Sequence, residues 1–427
     1  MRSMSRYPFF VFALVCALCA VPAQARSRVI VRVNGGASVL HSLCALLSCN
    51  VEESIGDPLG QVFLVTSRLG TDTLITELTS ATDVIDCEPD QLAKVTDSTS
   101  TVPVALTDST PVTYYGQTVP HGYVAQPAVG IVRLADAQAA FGVTGAGDVA
   151  VIDTGVDPDH PVLSGVLLSG YDFTRDQSGA SERNDVTFPK PPGVGQPQRV
   201  NSNTVANVTQ STAAVVDGSG AYGAFGHGTM VAGIIHLVAP SSMIQPFKVF
   251  GSDGTGNLSD ILRAIYLAAR SGVQVMNMSF SFSSYSPEVK NAINHANRQG
   301  IICVAAAGND GQQTTVYPAA LTNLVMGVAS TTDTDQLSSF SNYGPQIVWV
   351  GAPGEGIVST YPFGTYAAGW GTSFSTPLVA GTAALLWQSN VHYDESGAAQ
   401  AIAHAVTVNS NLGNGRLDIY QAVREAQ

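Results

Sequence analysis

Val149-Ala150-Val151-Ile152-Asp153-Thr154-Gly155 is a short apolar run that ends in a carboxylate, a hydroxyl and a glycine turn. Similar apolar runs recur at residues 244–250, 273–278, 301–306 and 324–328. Runs of this kind fill a parallel sheet that is covered on both faces. The sequence therefore predicts an α/β fold built on a doubly wound parallel sheet. Ligands bind such a sheet beyond the carboxyl ends of its strands, which is where we expect Asp153.

The segments between these runs carry helix start and stop signals. Ser286-Pro287-Glu288 offers a capping side chain, a first-turn proline and an acidic first turn, and Gly300 ends that segment. Residues 257–271 form a similar segment that Gly272 closes. Strands that alternate with helices in this way predict a sheet with helices on both faces.

Composition excludes several classes of protein. The chain has 427 residues, of which 45% are hydrophobic and 12% charged, so a sizeable core in two or three domains is expected. Its 19 basic and 32 acidic residues give a net charge of -13, and the basic residues form no stripe. We therefore expect no nucleic-acid partner. No uninterrupted apolar run is long enough for a bundle of membrane helices.

The first 25 residues have the pattern of a secretory signal. Arg2 and Arg6 precede an apolar stretch at 8–21, and Ala23-Gln24-Ala25 follows it. This pattern predicts a signal peptide at residues 1–25 that is cleaved after Ala25. The alternative, an uncleaved anchor, would need a longer apolar stretch. We expect a secreted protein, extracellular or periplasmic, with no membrane contact once the signal is removed.

Three further regions follow the signal. Residues 26–95 have the pattern of a small α+β unit with strands at 29–33 and 62–66, two helices, and a final strand pair near Val84 and Leu92. Residues 96–126 are rich in Thr, Ser, Pro and Gly, which predicts an exposed linker with a processing region. Residues 127–427 form the predicted doubly wound domain.

Four cysteines remain after the signal: Cys44, Cys49, Cys87 and Cys303. Three lie early in the chain and one lies far downstream, so a dense disulfide framework is not expected. A bridge from Cys44 to Cys49, a bridge from Cys49 to Cys87, and small buried thiols are alternatives that the sequence leaves open.

Two more motifs carry reactive side chains at helix starts. Gly226-His227-Gly228-Thr229 places an imidazole between glycines, and Gly371-Thr372-Ser373-Phe374 places a hydroxyl at a helix N-terminus. A neutral imidazole accepts a proton near physiological pH, and a helix N-terminus favours a developing oxyanion. Each feature alone is common in ordinary structure. Together with Asp153 they predict nucleophilic catalysis by Ser373.

The three motifs, in the order Asp, His, Ser, resemble those of the subtilisin-like serine proteases, or subtilases of peptidase family S8. The resemblance extends from about residue 132 to the C-terminus. It implies a subtilisin-like fold and a secreted serine endopeptidase that works through an acyl-enzyme intermediate, a mechanism for which subtilisin is a type example. It assigns Ser373 as nucleophile, His227 as general base and then acid, and Asp153 as the carboxylate that orients the imidazole.

Two other segments resemble parts of the family's site. Ala305-Ala306-Ala307-Gly308-Asn309 implies that the Asn309 amide binds the tetrahedral oxyanion together with the Ser373 backbone N–H. Met278-Ser279-Phe280-Ser281 resembles the edge along which an extended peptide binds. Ser281 stands where the family usually has glycine, so substrate preference is not carried over. The substrate-binding residues implied are Ser279, Phe280, Ser281, Ala306, Ala307 and Gly308.

The resemblance also implies a precursor. Residues 26–95 would be a propeptide of ferredoxin-like α+β fold that inhibits the enzyme within the same chain, and cleavage would fall within 96–126. A permanently attached domain is the alternative. The partners expected are protein or peptide substrates and the propeptide itself, and the enzyme is expected to be a monomer.

No cofactor is expected to be required. The family's strong calcium site is expected to be absent, because Val162 follows His160-Pro161 where the family has an acidic residue. Carboxylates in or beside a long insertion at 173–222 could bind a weak calcium ion: Asp172, Asp176, Asp185 and Asp217. A solvated loop is the alternative, and the insertion is expected to border the substrate groove because it precedes His227.

Other classes of function find less support in the sequence. An aspartic protease needs a second Asp-Thr-Gly turn, and none occurs. A His-Glu-x-x-His pattern for a zinc peptidase and a Gly-x-Ser-x-Gly elbow for a lipase are also absent. The non-enzyme alternative is a secreted binding protein that keeps the fold without activity.

Overall fold

The computed structural model describes residues 26–94, 103–186, 223–390 and 393–427. The predicted signal peptide lies outside these residues. Residues 27–89 form a four-stranded antiparallel sheet in the order β2-β3-β1-β4, with two helices packed on it through a small core of its own. Its elements are β1 (Ser27–Val33), α1 (Ala37–Leu47), β2 (Cys49–Ser54), β3 (Val62–Ser67), α2 (Thr71–Thr79) and β4 (Val84–Pro89). This is an α+β unit, as the sequence predicts.

The predicted final strand pair is wrong. β5 (Leu92–Lys94) does not pair with β4; it pairs antiparallel with β12 (Thr255–Asn257) of the second unit. The reason is a contact just before β5, where the buried Asp90 carboxylate accepts a hydrogen bond from the Ser259 backbone nitrogen at 2.9 Å. This contact fixes the chain against the second unit as it leaves β4.

The segment predicted as an exposed linker is folded from Pro103 onward. It contains α3 (Val104–Thr107), β6 (Pro111–Tyr114), β7 (Gln117–Pro120) and α4 (His121–Val124). Leu106, Val119 and Tyr123 are buried in one apolar cluster with side chains of the second unit. The prediction is therefore wrong for residues 103–126, because a few apolar side chains in a polar stretch find their partners on another part of the chain. Residues 95–102 lie outside the described part.

The second unit is built on an eight-stranded sheet in the order β10-β9-β11-β8-β13-β14-β15-β16. Its strand pairs are parallel, except that β10 is antiparallel to β9. The strands are β8 (Asp148–Asp153), β9 (Tyr171–Asp172), β10 (Gln177–Ser178), β11 (Met243–Lys248), β13 (Val275–Met278), β14 (Ile302–Ala306), β15 (Met326–Thr331) and β16 (Val350–Pro353). A hairpin of β17 (Ile357–Tyr361) and β18 (Thr365–Gly369) lies outside this sheet.

Helices cover both faces of the sheet. The helices of the second unit are α5 (Pro127–Ile131), α6 (Leu134–Phe141), α7 (His227–Val238), α8 (Leu258–Ser271), α9 (Pro287–Asn297), α10 (Thr372–Ser389), α11 (Glu395–Ile402) and α12 (Ile419–Glu425). Val149 and Val151 of β8 pack with α7 and α10, whereas Ala150 and Ile152 pack with α8 and α9. Because successive residues of a strand point to opposite faces, β8 is apolar throughout. The predicted doubly wound α/β sheet is confirmed.

The predicted capping signals act as expected. The Ser286 hydroxyl accepts from the Val289 backbone nitrogen at 3.0 Å, and Pro287 opens α9. Gly272 ends α8 with a φ of 77°, a left-handed conformation that glycine adopts without a steric cost.

Cys44 and Cys49 form a disulfide, whereas Cys87 and Cys303 are buried free thiols. One of the alternatives for Cys44 and Cys49 is thus realised. In the described ranges, no helix has the length and apolar character needed to cross a membrane.

Candidate active site

β8 and β11 run side by side, and the chain then crosses to β13 on the other side of β8. The strand order thus reverses at β8, the position at which doubly wound sheets open a crevice at the carboxyl ends. Asp153 is the last residue of β8 and is fully buried. Its Oδ1 accepts from the Thr154 backbone nitrogen at 2.7 Å and lies 2.7 Å from His227 Nδ1.

His227 is the first residue of α7 and is also fully buried. The glycines beside it have steric reasons. A Cβ on Gly228 would come within 2.1 Å of the Gly155 carbonyl oxygen, and a Cβ on Gly226 would come within 2.0 Å of the Tyr361 ring. Gly226 also has a φ of 92°. Glycine at 228 therefore lets the start of α7 approach the turn after β8, and glycine at 226 leaves room for the Tyr361 ring of β17.

Ser373 lies in the first turn of α10 and is 2% exposed. Its hydroxyl donates to the Ser279 carbonyl oxygen at 3.2 Å, and the Ser279 hydroxyl donates to the Ser373 carbonyl oxygen at 2.9 Å. The ring of the next residue, Phe374, lies 5.5 Å from the His227 ring, measured between centroids. The starts of α7 and α10 thus meet beside the end of β8.

The segment after β14 contacts the same helix start. Asn309 Oδ1 accepts from the Thr372 backbone nitrogen at 2.9 Å and from the Thr372 hydroxyl at 3.0 Å. The Thr372 hydroxyl in turn accepts from the Gly308 backbone nitrogen at 3.1 Å. These bonds fix the side chain of Asn309 with its carbonyl oxygen toward α10. The amide nitrogen, on the other arm of the carboxamide, therefore points away from the Thr372 backbone.

The six residues expected to bind substrate differ in what they expose. The Phe280 side chain lies in the core, with its ring centroid 5.2 Å from that of Phe250, and the residue as a whole is buried. Ala306 and Ala307 are buried as well. Ser281 is partly exposed, and its hydroxyl lies 3.4 Å from the place of a Cβ on Gly308. The side chain of Ser281 therefore faces the Gly308 segment rather than open solvent.

Charged residues behind Asp153 form a network that the sequence motifs did not reveal. Glu182 and Lys248 are fully buried, and Lys248 Nζ donates to the Thr154 carbonyl oxygen and to Asp185 Oδ2, both at 2.7 Å. Burial raises the pKa of Glu182 to about 7. Glu182 and Asp185 lie in the predicted insertion, in a 3₁₀ turn at Glu182–Asp185. Nothing in the local pattern marked Glu182 or Lys248, because their partners are distant in sequence, and Asp185 was predicted only as a calcium ligand.

The calcium candidates have arginine partners. Arg175 contacts Asp172 Oδ2 at 3.0 Å and Asp185 Oδ1 at 2.6 Å, and Arg263 contacts Asp176 Oδ1 at 2.7 Å. Asp217 and the rest of the predicted insertion after Val186, up to residue 222, lie outside the described residues. Among those that are described, no group of three or more His, Cys, Asp or Glu side chains could hold a metal ion.

Comparison with known proteins identifies the family. A profile described as "Subtilase family" matches residues 147–419, which is more than half of the chain. The chain belongs to the subtilase family. Subtilases are serine endopeptidases, so the predictions of family and enzyme class are confirmed.

Similar proteins include bacterial serine proteinases. The chain is 36% identical to the thermophilic serine proteinase of Bacillus sp. (strain AK1) over 290 residues, 65% of this chain and 61% of that protein. It is 34% identical to thermitase of Thermoactinomyces vulgaris over 290 residues, 65% of this chain and 88% of thermitase. It is 39% identical to subtilisin BL of Lederbergia lenta over 201 residues, 45% of this chain and 73% of that subtilase.

The solved structure of fervidolysin from Fervidobacterium pennivorans, described as a keratinolytic enzyme related to subtilisin, has the same fold. It aligns with a TM-score of 0.70 over 94% of this chain and 61% of that chain, at 20% identity. The alignment therefore reaches beyond the subtilase domain and includes the N-terminal unit of this chain.

Proposed function

We propose that this subtilase hydrolyses peptide bonds with Asp153, His227 and Ser373 as its catalytic triad. The observation that carries the proposal is the 2.7 Å contact between Asp153 Oδ1 and His227 Nδ1, fully buried and beside the start of α10. Asp153 holds the proton on Nδ1, which leaves Nε2 as the basic nitrogen. His227 takes the proton of the Ser373 hydroxyl as it attacks the carbonyl carbon, then gives it to the leaving amine. Water then attacks the acyl-enzyme: His227 removes a proton from the water and returns a proton to the Ser373 oxygen as the acyl group leaves.

The oxyanion of the tetrahedral intermediate is bound by the Asn309 amide and the Ser373 backbone N–H. Two features support this role: the fixed orientation of the Asn309 side chain and the N-terminus of the 18-residue helix α10, whose dipole favours negative charge. Donors that are fixed before the reaction need no reorganisation when the charge develops.

The substrate is a protein or peptide that binds in extended form. Ser279, Phe280 and Ser281 follow the carboxyl end of β13, and Gly308 follows β14. The main chain of these segments supplies affinity by strand addition, together with the main chain of Ala306 and Ala307. The Ser281 side chain lies beside Gly308, so it narrows the edge where a glycine would leave room.

The N-terminal unit acts as a propeptide and intramolecular inhibitor. Support comes from the pairing of β5 with β12, which brings the chain that leaves this unit onto the second unit. Processing takes place before Pro103, because the chain from Pro103 onward packs on the second unit and the packed part stays with the mature enzyme. The domains proposed are a signal at 1–25, a propeptide from 26 to about 95, and a catalytic unit after the cleavage point.

The mature enzyme is secreted, to the exterior or the periplasm, and works as a monomer without a required cofactor. Support for cofactor-free action comes from the arginines that neutralise Asp172, Asp176 and Asp185. These internal cations take the place that a weakly bound calcium ion would have. A net charge of -13 disfavours binding to the phosphate backbone of nucleic acid.

The test is Ser373→Ala with Ser375→Ala as matched control. Ser375 is a buried serine of the same helix, and its hydroxyl has no hydrogen-bond partner among the described residues. We expect Ser373→Ala to lose peptide hydrolysis and to keep the N-terminal unit attached, whereas Ser375→Ala should retain peptide hydrolysis and release the N-terminal unit. Hydrolysis of casein by Ser373→Ala at the rate of the parent chain would reject the triad, and the inactive-binder alternative would be supported by an inactive parent chain.

A further inference from the structure

Glu182 is a fully buried carboxylate that no step of the proposed reaction uses. Its two oxygens accept hydrogen bonds from both sides of the Asp153–His227 contact. Oε1 accepts from the Thr154 hydroxyl at 2.5 Å and from the Gly226 backbone nitrogen at 2.8 Å. Oε2 accepts from the Thr229 hydroxyl at 2.6 Å and from the Thr229 backbone nitrogen at 3.3 Å. One carboxylate therefore links the end of β8 to the first turn of α7.

The start of α7 depends on acceptors from outside the helix. The N-cap residue is Gly226, which has no side chain that could cap the first turn. Glu182 accepts from Gly226 and Thr229, and the Thr154 hydroxyl accepts from the Gly228 backbone nitrogen at 2.9 Å. A negative charge at this end also interacts favourably with the helix dipole. His227 lies between these anchored residues.

The Thr154 hydroxyl has a single proton and two acceptors within reach. Glu182 Oε1 is 2.5 Å away, whereas Asp153 Oδ1 is 3.2 Å away. The shorter distance indicates that the Thr154 hydroxyl donates its hydrogen bond to Glu182 Oε1. Asp153 Oδ1 thus remains an acceptor for His227 and for the Thr154 backbone N–H.

Several charged or titratable groups surround Glu182. Asp153 and the Tyr361 phenol lie near it, Lys248 supplies the opposing positive charge, and Asp185 of the same turn pairs with Lys248. Arg183, also of this turn, is turned toward Asp157 and Asp159. Desolvation is the largest influence on the pKa of Glu182, and Thr154, Thr229 and Lys248 oppose it.

We propose that Glu182 is a positioning residue, which anchors the start of α7 to the end of β8 and so fixes the geometry of the Asp153–His227 pair. This inference rests on the proposed triad. Glu182 acts through Thr154, Gly226 and Thr229 and does not touch the substrate.

Glu182→Gln tests the inference in the mature enzyme, expressed as the full chain and allowed to process. An amide has one acceptor oxygen for four donors, so at least one anchor is lost. We expect kcat per active site, counted with a fluorophosphonate label, to fall about 10- to 100-fold while KM changes little. Glu182→Asp, which keeps a carboxylate with two acceptor oxygens, should recover part of the lost kcat.

Arg183→Gln is the matched control, because it changes the same turn without touching α7. It should retain the parent kcat. A parent-like kcat in Glu182→Gln would overturn the positioning role, while an inactive Ser373→Ala would leave the proposed function intact. A lower unfolding temperature with an unchanged kcat per labelled active site would also overturn it, since that is the result of a merely structural carboxylate.

Discussion

At the scale of single residues, the orientation of a side chain decides what it can do. Asn309 is held by the backbone and hydroxyl of Thr372, one residue before Ser373. The first turn of α10 therefore fixes the positions of both the nucleophile and the proposed oxyanion donor. This coupling makes Asn309 a sensitive probe of the site.

Replacing Asn309 with alanine should lower kcat about 10²- to 10³-fold, a magnitude taken from subtilisin, a relative of this chain. The reason is that the amide stabilises charge that develops only in the transition state, so KM should change little. Steady-state kinetics on a chromogenic peptide measures both constants. A rise in KM with an unchanged kcat would instead assign Asn309 to ground-state binding.

Glu395 provides a pH-dependent probe of stability away from the site. Glu395 is 8% exposed, its carboxylate accepts from the Cys303 backbone nitrogen at 2.6 Å, and burial raises its pKa to about 8. In the unfolded chain Glu395 ionises near the ordinary pKa of a glutamate. Between that pKa and about 8 the folded protein therefore binds one more proton than the unfolded chain. The stability it contributes is full at low pH and is lost as the pH rises through about 8.

Glu395→Gln should therefore be less sensitive to pH than the parent. Both proteins should carry Ser373→Ala to prevent self-digestion. The free energy of unfolding of Glu395→Gln relative to the protein with Glu395 should then increase from pH 5 to pH 8, by up to about 1.4 kcal/mol per pH unit. Urea unfolding at several pH values measures this difference. Glu77→Gln on the surface of α2 is the control, and a pH-independent difference for Glu395→Gln would contradict the prediction.

At the scale of elements, residues 103–126 show how local composition misleads. The segment is polar on average, yet Tyr123 is fully buried and its hydroxyl donates to the Gly233 carbonyl oxygen of α7 at 2.6 Å. Tyr114 donates to the Leu237 carbonyl oxygen near the C-terminal end of that helix. The segment thus braces the helix that begins with His227.

Tyr123→Ala should destabilise the folded enzyme by about 3 to 5 kcal/mol, because it leaves a cavity and removes a buried hydrogen bond. Tyr115, which is 47% exposed, gives the matched control. Denaturant unfolding of both variants in the Ser373→Ala background measures the difference. Equal stability of Tyr123→Ala and Tyr115→Ala would contradict a stabilising role for residues 103–126 and would support their interpretation as a linker.

At the scale of the whole molecule, the N-terminal unit is joined to the second unit by charged contacts at the starts of α8 and α9. Asp90 caps the start of α8, and Arg32 contacts Glu288 in the first turn of α9 at 2.6 Å. Buried apolar residues of β1 and β3 join the core around α8. If the N-terminal unit is the inhibitor proposed above, it should stay bound to the second unit until these contacts open.

Asp90→Ala should weaken the hold of the N-terminal unit after cleavage. Loss of a cap costs about 0.5 to 2 kcal/mol, and 1.4 kcal/mol corresponds to about a tenfold weaker inhibition. Peptide hydrolysis should therefore appear earlier during maturation of the precursor, which a time course of processing and activity measures. Asp72→Ala on the exposed face of α2 is the control. Activity that appears no earlier than in the parent would argue against an inhibitory role for this contact.

The sequence by itself determined the family, the doubly wound sheet, and the order of Asp153, His227 and Ser373 along the chain. It could do so because buried strands, helix caps and glycine-flanked motifs are short-range patterns. The caps at Ser286 and Gly272 agree with the structure for the same reason. The roles of the three side chains stay a prediction until the variants are measured.

Only the tertiary structure decided the partner of β5, the burial of Tyr123 and the four hydrogen bonds of Glu182. Each depends on residues that are far apart in the chain, as with Asp90 and Ser259, which are 169 positions apart. A local pattern contains no information about which distant surface a segment meets. Those contacts form, and contribute to stability, only when the folded sheet has brought the segments together. The tertiary structure was therefore needed to find them.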